Sequence, residues 1–81
     1  ICGTGIGMSI ACNKVKGVRC GKINTVEEAF FARNDNNINV AAVGSSLDKE
    51  LIKDIIIKVL TTPFSTDERH IRRVEKIMNL H

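Results

Sequence analysis

A glycine-rich segment at the start of the chain holds the residues best suited to chemistry. Its residues are Cys2, Gly3, Thr4, Gly5, Ile6 and Gly7. Closely spaced glycines let the backbone turn sharply and present its N–H groups at the start of a following helix, where anions bind. The segment therefore predicts a loop that holds an anion, which is either a phosphate or an oxygen that becomes negative during a reaction.

Cys2 is a candidate base or nucleophile, because the dipole of a following helix favours a thiolate at the helix N-terminus. Free cysteines are also common as small buried apolar residues, and spacing alone leaves both interpretations open. The hydroxyl of Thr4 either binds a substrate oxygen or closes the turn. We expect Cys12 and Cys20 to belong to the core.

Basic residues near the end of the chain form a second candidate site. Arg69 and Arg73 are four residues apart, so both guanidinium groups leave one face of a helix and can bind one phosphate together. His70 is a further candidate donor, although a histidine near a helix start is more often a surface or capping residue. The alternative for the whole cluster is a solvated helix face without a ligand.

The glycine spacing argues against the two common nucleotide loops. The dinucleotide pattern Gly-x-Gly-x-x-Gly would need a glycine at Met8 or Ile10, and the triphosphate loop would need Gly-Lys followed by Ser or Thr. We therefore predict no cofactor. The three cysteines show no paired spacing, so we also predict no metal site and no disulfide framework. A reducing compartment, the cytoplasm, is the simplest location.

Composition narrows the class of protein further. Of the 81 residues, 43% are hydrophobic and 26% are charged, as in ordinary globular proteins. The chain has three Phe and no Trp or Tyr, so few aromatic rings can stack on bases and we expect no nucleic-acid partner. No apolar run approaches the roughly 20 residues that a membrane span needs, so we expect no membrane contact.

The hydrophobic pattern predicts helices that alternate with short buried strands. Helices are predicted directly after Gly7 and over residues 26 to about 33, 47–60 and 71–78, and strands over 18–20 and 38–43. Thr25 with Glu28 and Ser65 with Glu68 predict capping boxes, and Ser45 or Ser46 is expected to cap the third helix. This alternation predicts an α/β fold with a parallel sheet and right-handed crossovers. Position 1 is interpreted as the stump of a further strand.

The chain resembles the type B ribose-5-phosphate isomerase family, which includes galactose-6-phosphate isomerase subunits. The resemblance rests on residues 1–11 and on Asn13, Lys14, Gly17, Arg19, Asn36, Asn39, Val40, Gly44, Arg69, His70, Arg73, Val74 and Glu75. It implies a longer Rossmann-like parallel sheet flanked by helices. Residues 1–81 would then be a single partial domain, the C-terminal half of a sugar-phosphate isomerase domain, which we expect to be inactive alone.

The resemblance also implies a reaction, the aldose–ketose isomerisation of a phosphorylated sugar, with ribose 5-phosphate as the first candidate. Cys2 would be the base that moves a proton between C1 and C2 of the open-chain sugar, and Thr4 would assist it. The backbone amides of Gly3, Gly5, Ile6 and Gly7 would steady the enediolate.

Further residues that match the family would bind substrate from a neighbouring subunit. The resemblance implies that Arg69 and Arg73 bind the phosphate, with His70 as an additional ligand. It places Asn36 in the site of the neighbouring subunit, so the partners implied are the phosphorylated sugar and a second copy in a homodimer or larger homo-oligomer.

Two residues differ from the family pattern. Asp35 stands where ribose-5-phosphate isomerases have a ring-opening histidine, and Ser46 stands where many members have a substrate-binding arginine. An ionised carboxylate has no proton to donate, so Asp35 cannot replace the histidine unchanged. Galactose 6-phosphate or another aldose phosphate therefore remains an alternative substrate, and a non-catalytic sugar-phosphate-binding relative remains an alternative function.

Overall fold

The computed structural model describes residues 1–80 and confirms the predicted α/β alternation. Its elements are α1 (Ile6–Asn13), β1 (Cys20–Lys22), α2 (Val26–Asn36), β2 (Val40–Ala42), α3 (Lys49–Thr61) and α4 (Glu68–Met78). Within this part of the chain no helix is both long and apolar enough to cross a membrane.

The strands β1 and β2 form a parallel pair, in register from Cys20 opposite Val40 to Lys22 opposite Ala42. Cys2 extends this sheet by a single parallel bridge to Gly44, with its backbone N–H donating to the Val43 carbonyl at 3.2 Å. On the β1 side, the N–H of Ile23 donates to the Ala42 carbonyl at 2.9 Å. Successive carbonyls of a strand point to opposite sides, so Cys2 and β1 flank β2, and the strand stump takes part in the sheet.

An apolar core lies between the sheet and helices α2 and α3. Its buried members are Ile23, Ala29, Ile38, Val43 and Ile55. Residues of α2 and α3 that are partly buried, such as Ala32 and Leu51, pack against it. In contrast, α1 lies against β1 and β2 without burying any residue fully. The core therefore fixes the strands from whose ends the candidate site residues emerge.

The strand that follows α1 begins two residues later than predicted. The sequence pattern predicts a strand over 18–20, whereas β1 covers Cys20–Lys22. The amide of Val18 closes a turn with the carbonyl three residues earlier, and the amide of Arg19 donates to an asparagine side chain at 2.7 Å. Gly21 has little strand propensity but pairs with Ala41 in the strand, and a Cβ at this position would lie only 3.2 Å from the side chain of Ile38.

Helix α2 starts as predicted and ends about one turn later. The Thr25 hydroxyl accepts a hydrogen bond from the Glu28 amide at 3.0 Å, which confirms the N-cap. The helix continues to Asn36, and Asn37, with a φ of 50°, ends it in the left-handed region. The last turn of α2 therefore contains Asp35 and Asn36.

The predicted serine cap of α3 is wrong. This helix begins at Lys49 with Asp48 in the N-cap position and no side-chain capping bond. The residues before it form a turn after β2 instead, in which the Ser45 amide donates to the Cys2 carbonyl at 2.6 Å and the Leu47 amide donates to the Gly44 carbonyl at 3.2 Å. Ser45 and Ser46 therefore belong to the turn that follows β2, and neither is at the N-cap position of α3.

The predicted Ser65 cap of α4 is also wrong. The cap is Asp67, whose carboxylate accepts from the Arg69 amide at 2.9 Å. The Ser65 hydroxyl accepts from the Asp67 amide at 2.9 Å, and the Ser65 amide donates to the Asn34 carbonyl at 2.9 Å. Ser65 therefore ties the approach to α4 onto α2 and leaves the capping to Asp67.

Candidate functional site

Cys2 is the last residue of the strand stump, and the chain turns directly after it into the glycine loop. Its Sγ is half-buried and accepts a hydrogen bond from the Gly5 amide at 3.0 Å. Gly5 has a φ of 85°, a left-handed conformation that favours glycine. The Thr4 hydroxyl accepts from the Ile6 amide at 3.3 Å. In this structure, Thr4 closes the turn into α1, one of the two roles that the sequence left open.

The first turn of α1 follows this loop and presents free backbone N–H groups. Ser9 is the first residue whose amide donates within the helix, to the Gly5 carbonyl at 3.0 Å. Within residues 1–80 the amides of Gly7 and Met8 have no acceptor, as is usual for the first turn of a helix. Unpaired amides at a helix N-terminus attract negative charge. The predicted turn and its unpaired amides are therefore present, with a thiol at the start of the loop, and the binding of an anion there stays a prediction.

Gly44 holds the loop close to the end of β2. A Cβ at this position would lie 3.0 Å from the carbonyl oxygen of Gly3 and 3.2 Å from that of Thr4, which is tighter than most Cβ contacts and would push the loop backbone away. Gly5 approaches the same place from the loop side, because a Cβ on it would lie 3.5 Å from the Gly44 nitrogen. The absence of a side chain at Gly44 is thus what allows the loop to lie on the sheet.

We predict that Gly44→Ala lowers the free energy of unfolding of the whole protein by about 1–3 kcal/mol, because the loop backbone must move away. Gly7→Ala is the matched control, since a Cβ on Gly7 meets nothing within 4 Å. In a helix this change is neutral or stabilising, by at most about 1 kcal/mol. Urea unfolding measures both. Equal midpoints for the two variants would show that the loop does not depend on Gly44.

Arg73 joins α4 to the end of α2. Its Nε donates to Asn36 Oδ1 at 3.1 Å, and its Nη2 donates to the Asp35 carbonyl at 2.8 Å. Because a guanidinium group contains only donors, Asn36 must turn its oxygen towards Arg73 and its NH2 group away. Two residues that the sequence analysis selected separately, Asn36 and Arg73, are therefore in direct contact.

His70 and Asp35 face each other beside this contact. The distance from His70 Nε2 to Asp35 Oδ1 is 3.8 Å, and the side chains are 16% and 28% exposed. Asn34 Nδ2 donates to the same Asp35 oxygen at 2.7 Å. Asp35, Asn36, His70 and Arg73 together are called the α2–α4 cluster below. It gathers four of the predicted site residues.

Arg69, one turn before Arg73 on α4, is held by Asp67. Its Nη2 lies 2.8 Å from Asp67 Oδ2, and its side chain is 74% exposed. Hydrogen bonds from Arg69 hold the pKa of Asp67 well below its usual range, and Asp67 in turn raises the pKa of Arg69. The contact is therefore complete above the ordinary aspartate pKa of about 3.9 and is lost only in stronger acid. The binding of one phosphate by Arg69 and Arg73 together stays a prediction.

The glycine loop and the α2–α4 cluster lie at opposite ends of the parallel strands. The loop rests on Gly44, beyond the carboxyl end of β2. Helix α2, with 11 residues, runs back for about 16 Å to the amino end of β2, where the cluster is found. Within one copy of the chain these two groups cannot contact the same small molecule.

Comparison with known proteins identifies the family. The family model described as Ribose/Galactose Isomerase matches residues 1–77 of the chain. The chain belongs to the ribose/galactose isomerase family. Its fold agrees with a solved member, a type B ribose 5-phosphate isomerase from Trypanosoma cruzi, with a TM-score of 0.92 and 50% identity over 95% of this chain and 52% of that one.

Two relatives in the ribose/galactose isomerase family carry other substrate names. The D-erythrulose-4-phosphate isomerase of Pectobacterium atrosepticum is 46% identical over 57 residues, which are 69% of this chain and 38% of that protein. The galactose-6-phosphate isomerase subunit LacB of Clostridium acetobutylicum is 32% identical over 82 residues, which are 96% and 47% of the two chains. The chain spans about half the length of the curated relatives that it matches.

Some residues that shape the site of this family member were not selected from its sequence. Asp67 orients Arg69 and caps α4, and an aspartate directly before the helix was a sufficient signal for an N-cap. Asn34 holds the Asp35 carboxylate, and no spacing pattern marks it. A cavity of about 550 Å³ beside the free edge of β1 has Asn36 in its lining but not Cys2, so it does not coincide with the glycine loop.

Proposed function

We propose that the whole protein containing this chain interconverts the aldose and ketose forms of a phosphorylated sugar. The observation that carries the proposal is the position of Cys2. Its half-buried thiol lies at the start of the glycine loop and accepts a hydrogen bond from the Gly5 amide. Such an isomerisation needs a base that moves a proton between C1 and C2, and donors for the negative enediolate oxygen. Cys2 is the base, and amides of the loop over residues 3–7 and of the first turn of α1 are the donors.

The phosphate and the far end of the sugar are bound by the α2–α4 cluster of a second copy. The support for two copies is the separation of the cluster from Cys2 by the length of α2. Arg73 and Arg69 supply the positive charge for the phosphate, and the NH2 group of Asn36, which points away from Arg73, is a donor for a sugar hydroxyl. Thr4 assists at the loop.

The three cysteines, Cys2, Cys12 and Cys20, are free thiols, which suits the cytoplasm. Burial raises the pKa of the Cys20 thiol, and the neighbouring Cys12 thiol adds to the effect. A neutral Cys20 is a poor base, and proton transfer is assigned to Cys2 because it is the thiol at the start of the glycine loop.

Ribose 5-phosphate is the first substrate to assay, followed by galactose 6-phosphate and erythrose 4-phosphate, the sugars that correspond to the named relatives. We expect the whole protein to form the ketose from at least one of them. The competing function is a non-catalytic sugar-phosphate-binding protein, which is favoured by Asp35 and Ser46 standing in place of site residues expected for the family. Calorimetric binding of these sugars without formation of any ketose would contradict the isomerase and support that competitor.

A further inference from the structure

Cys12 and Cys20 are brought together where α1 ends and β1 begins. Asn13, the last residue of α1, donates from its NH2 group to the Cys20 carbonyl at 3.0 Å and accepts a hydrogen bond from the Cys20 amide at 2.7 Å. These two hydrogen bonds hold the end of the helix, and with it Cys12, beside the first residue of the strand. No Cys-x-x-Cys spacing marks the two cysteines in the sequence.

The thiols of Cys12 and Cys20 also act on each other. Burial raises the pKa of the Cys20 thiol, and the charge of Cys12 and a hydrogen bond with its side chain add to the effect. Both contributions from Cys12 require the two sulfur atoms to lie close together. Each cysteine is only half-buried, so a small oxidant can reach the thiols. Cys2 is not part of this pair, because the 8 residues of α1, a length of about 12 Å, separate it from Cys20.

We propose that Cys12 and Cys20 form a redox pair, which a peroxide converts into a disulfide that joins the end of α1 to the start of β1. The pair lies outside the proposed catalytic site, since neither Cys2 nor the α2–α4 cluster takes part. Helix α1 buries no residue fully against the sheet, and it carries the glycine loop at its N-terminus. The disulfide therefore fastens the helix that positions the loop.

The oxidation consumes one peroxide molecule and two thiols. Cys12 is oxidised first, because the thiolate is the reactive form and the raised pKa of Cys20 keeps that residue as a thiol. The Cys12 sulfur attacks one peroxide oxygen, the O–O bond breaks, and a sulfenic acid forms with release of water. The Cys20 sulfur then attacks the Cys12 sulfur, and the sulfenic oxygen leaves as water with the Cys20 proton. The two sulfurs lose two electrons, which the peroxide oxygens accept.

Peptide mapping of the whole protein after treatment with hydrogen peroxide tests the pair. Three basic residues lie between Cys12 and Cys20, so trypsin places the two cysteines on different peptides. In the unaltered protein we expect these peptides to be linked, with a mass two hydrogen atoms below their sum, and to separate when dithiothreitol is added. Cys12→Ala should abolish the link. Cys2→Ala is the matched control and should keep it, because no trypsin site separates Cys2 from Cys12.

Two further measurements test the order of oxidation and its effect on α1. In Cys20→Ala the reaction should stop at the Cys12 sulfenic acid, which dimedone labels. The urea midpoint of the unaltered protein should rise by about 1 M on oxidation, and that of Cys12→Ala should not. The absence of a linked peptide, a link that survives Cys12→Ala, or a disulfide between two copies would overturn the pair. A linked peptide with an unchanged midpoint would overturn the fastening of α1.

Discussion

Cys2→Ala and Cys2→Ser are each expected to lower kcat of the proposed isomerisation by about 10²–10⁴-fold, the range for removing a general base. The two variants separate two roles of this residue. The Gly5 amide donates a hydrogen bond to Cys2 Sγ at 3.0 Å. Serine keeps an acceptor for this hydrogen bond and so preserves the loop. Its hydroxyl is much less acidic than a thiol and cannot replace the base. The measurement is steady-state turnover of the best substrate of the whole protein.

Cys12→Ala is the matched control for this pair, because Cys12 is another free, half-buried cysteine of the same segment. Cys12 lies outside the apolar core, contrary to the sequence prediction, so we expect the turnover of this variant to stay within about threefold of the unaltered protein. If Cys2→Ser retained full activity while Cys2→Ala lost it, Cys2 would be a residue that holds the loop, and proton transfer would belong to another group.

Mixing two inactive variants should restore activity, because the proposed site takes its parts from two copies. Cys2→Ser removes the proposed base in the glycine loop, beyond the carboxyl end of β2. Arg73→Ala removes the contacts to Asn36 and Asp35 in the α2–α4 cluster, at the amino end of β2. In a mixed symmetric dimer, one of the two sites receives an intact loop and an intact cluster. Random assembly makes half of the dimers mixed, so co-expression should recover about a quarter of the original turnover.

The control for this complementation pairs two substitutions at the same edge. Cys2→Ser and Thr4→Ala both lie in the loop, so every site of a mixed dimer keeps a damaged loop, and the activity of the mixture should not exceed the mean of the two variants. If the mixture of Cys2→Ser with Arg73→Ala also stayed inactive, the loop and the α2–α4 cluster would not build one site between two copies.

The glycine loop was predictable because its signal is local. Glycines at alternate positions directly before a helical pattern specify the turn, and the structure contains it with Gly5 in the left-handed region. The parallel pairing of β1 and β2 followed from the alternation of helices and strands. Resemblance to the family then gave the roles of Cys2 and Thr4, which remain predictions.

The errors at helix starts arose where several capping residues compete. Ser45, Ser46 and Asp48 all precede α3, and the choice depends on a turn that bonds the Ser45 amide to the Cys2 carbonyl. That contact joins residues 43 positions apart in the sequence, so no local pattern reveals it. The same holds at α4, where Ser65 is drawn to the Asn34 carbonyl.

The α2–α4 cluster also depends on long-range packing. The contact of Arg73 with Asn36 spans 37 residues and requires α4 to return along α2. Arg69 and Arg73 lie on one face of α4, as their spacing predicts, but no local pattern shows that Asp67 holds the first and Asn36 the second. The proximity of Asp35 to His70 depends on the same packing, because the two residues lie on different helices and 35 positions apart.

Solvent exchange at the sugar carbon tests the central claim, proton transfer by Cys2, most directly. The whole protein is incubated with its substrate in deuterium oxide, and NMR follows the hydrogen on C2 of the aldose. We predict that this signal disappears with the unaltered protein and with Cys12→Ala, and persists with Cys2→Ser at the rate seen without protein. Undiminished exchange in Cys2→Ser would contradict the account.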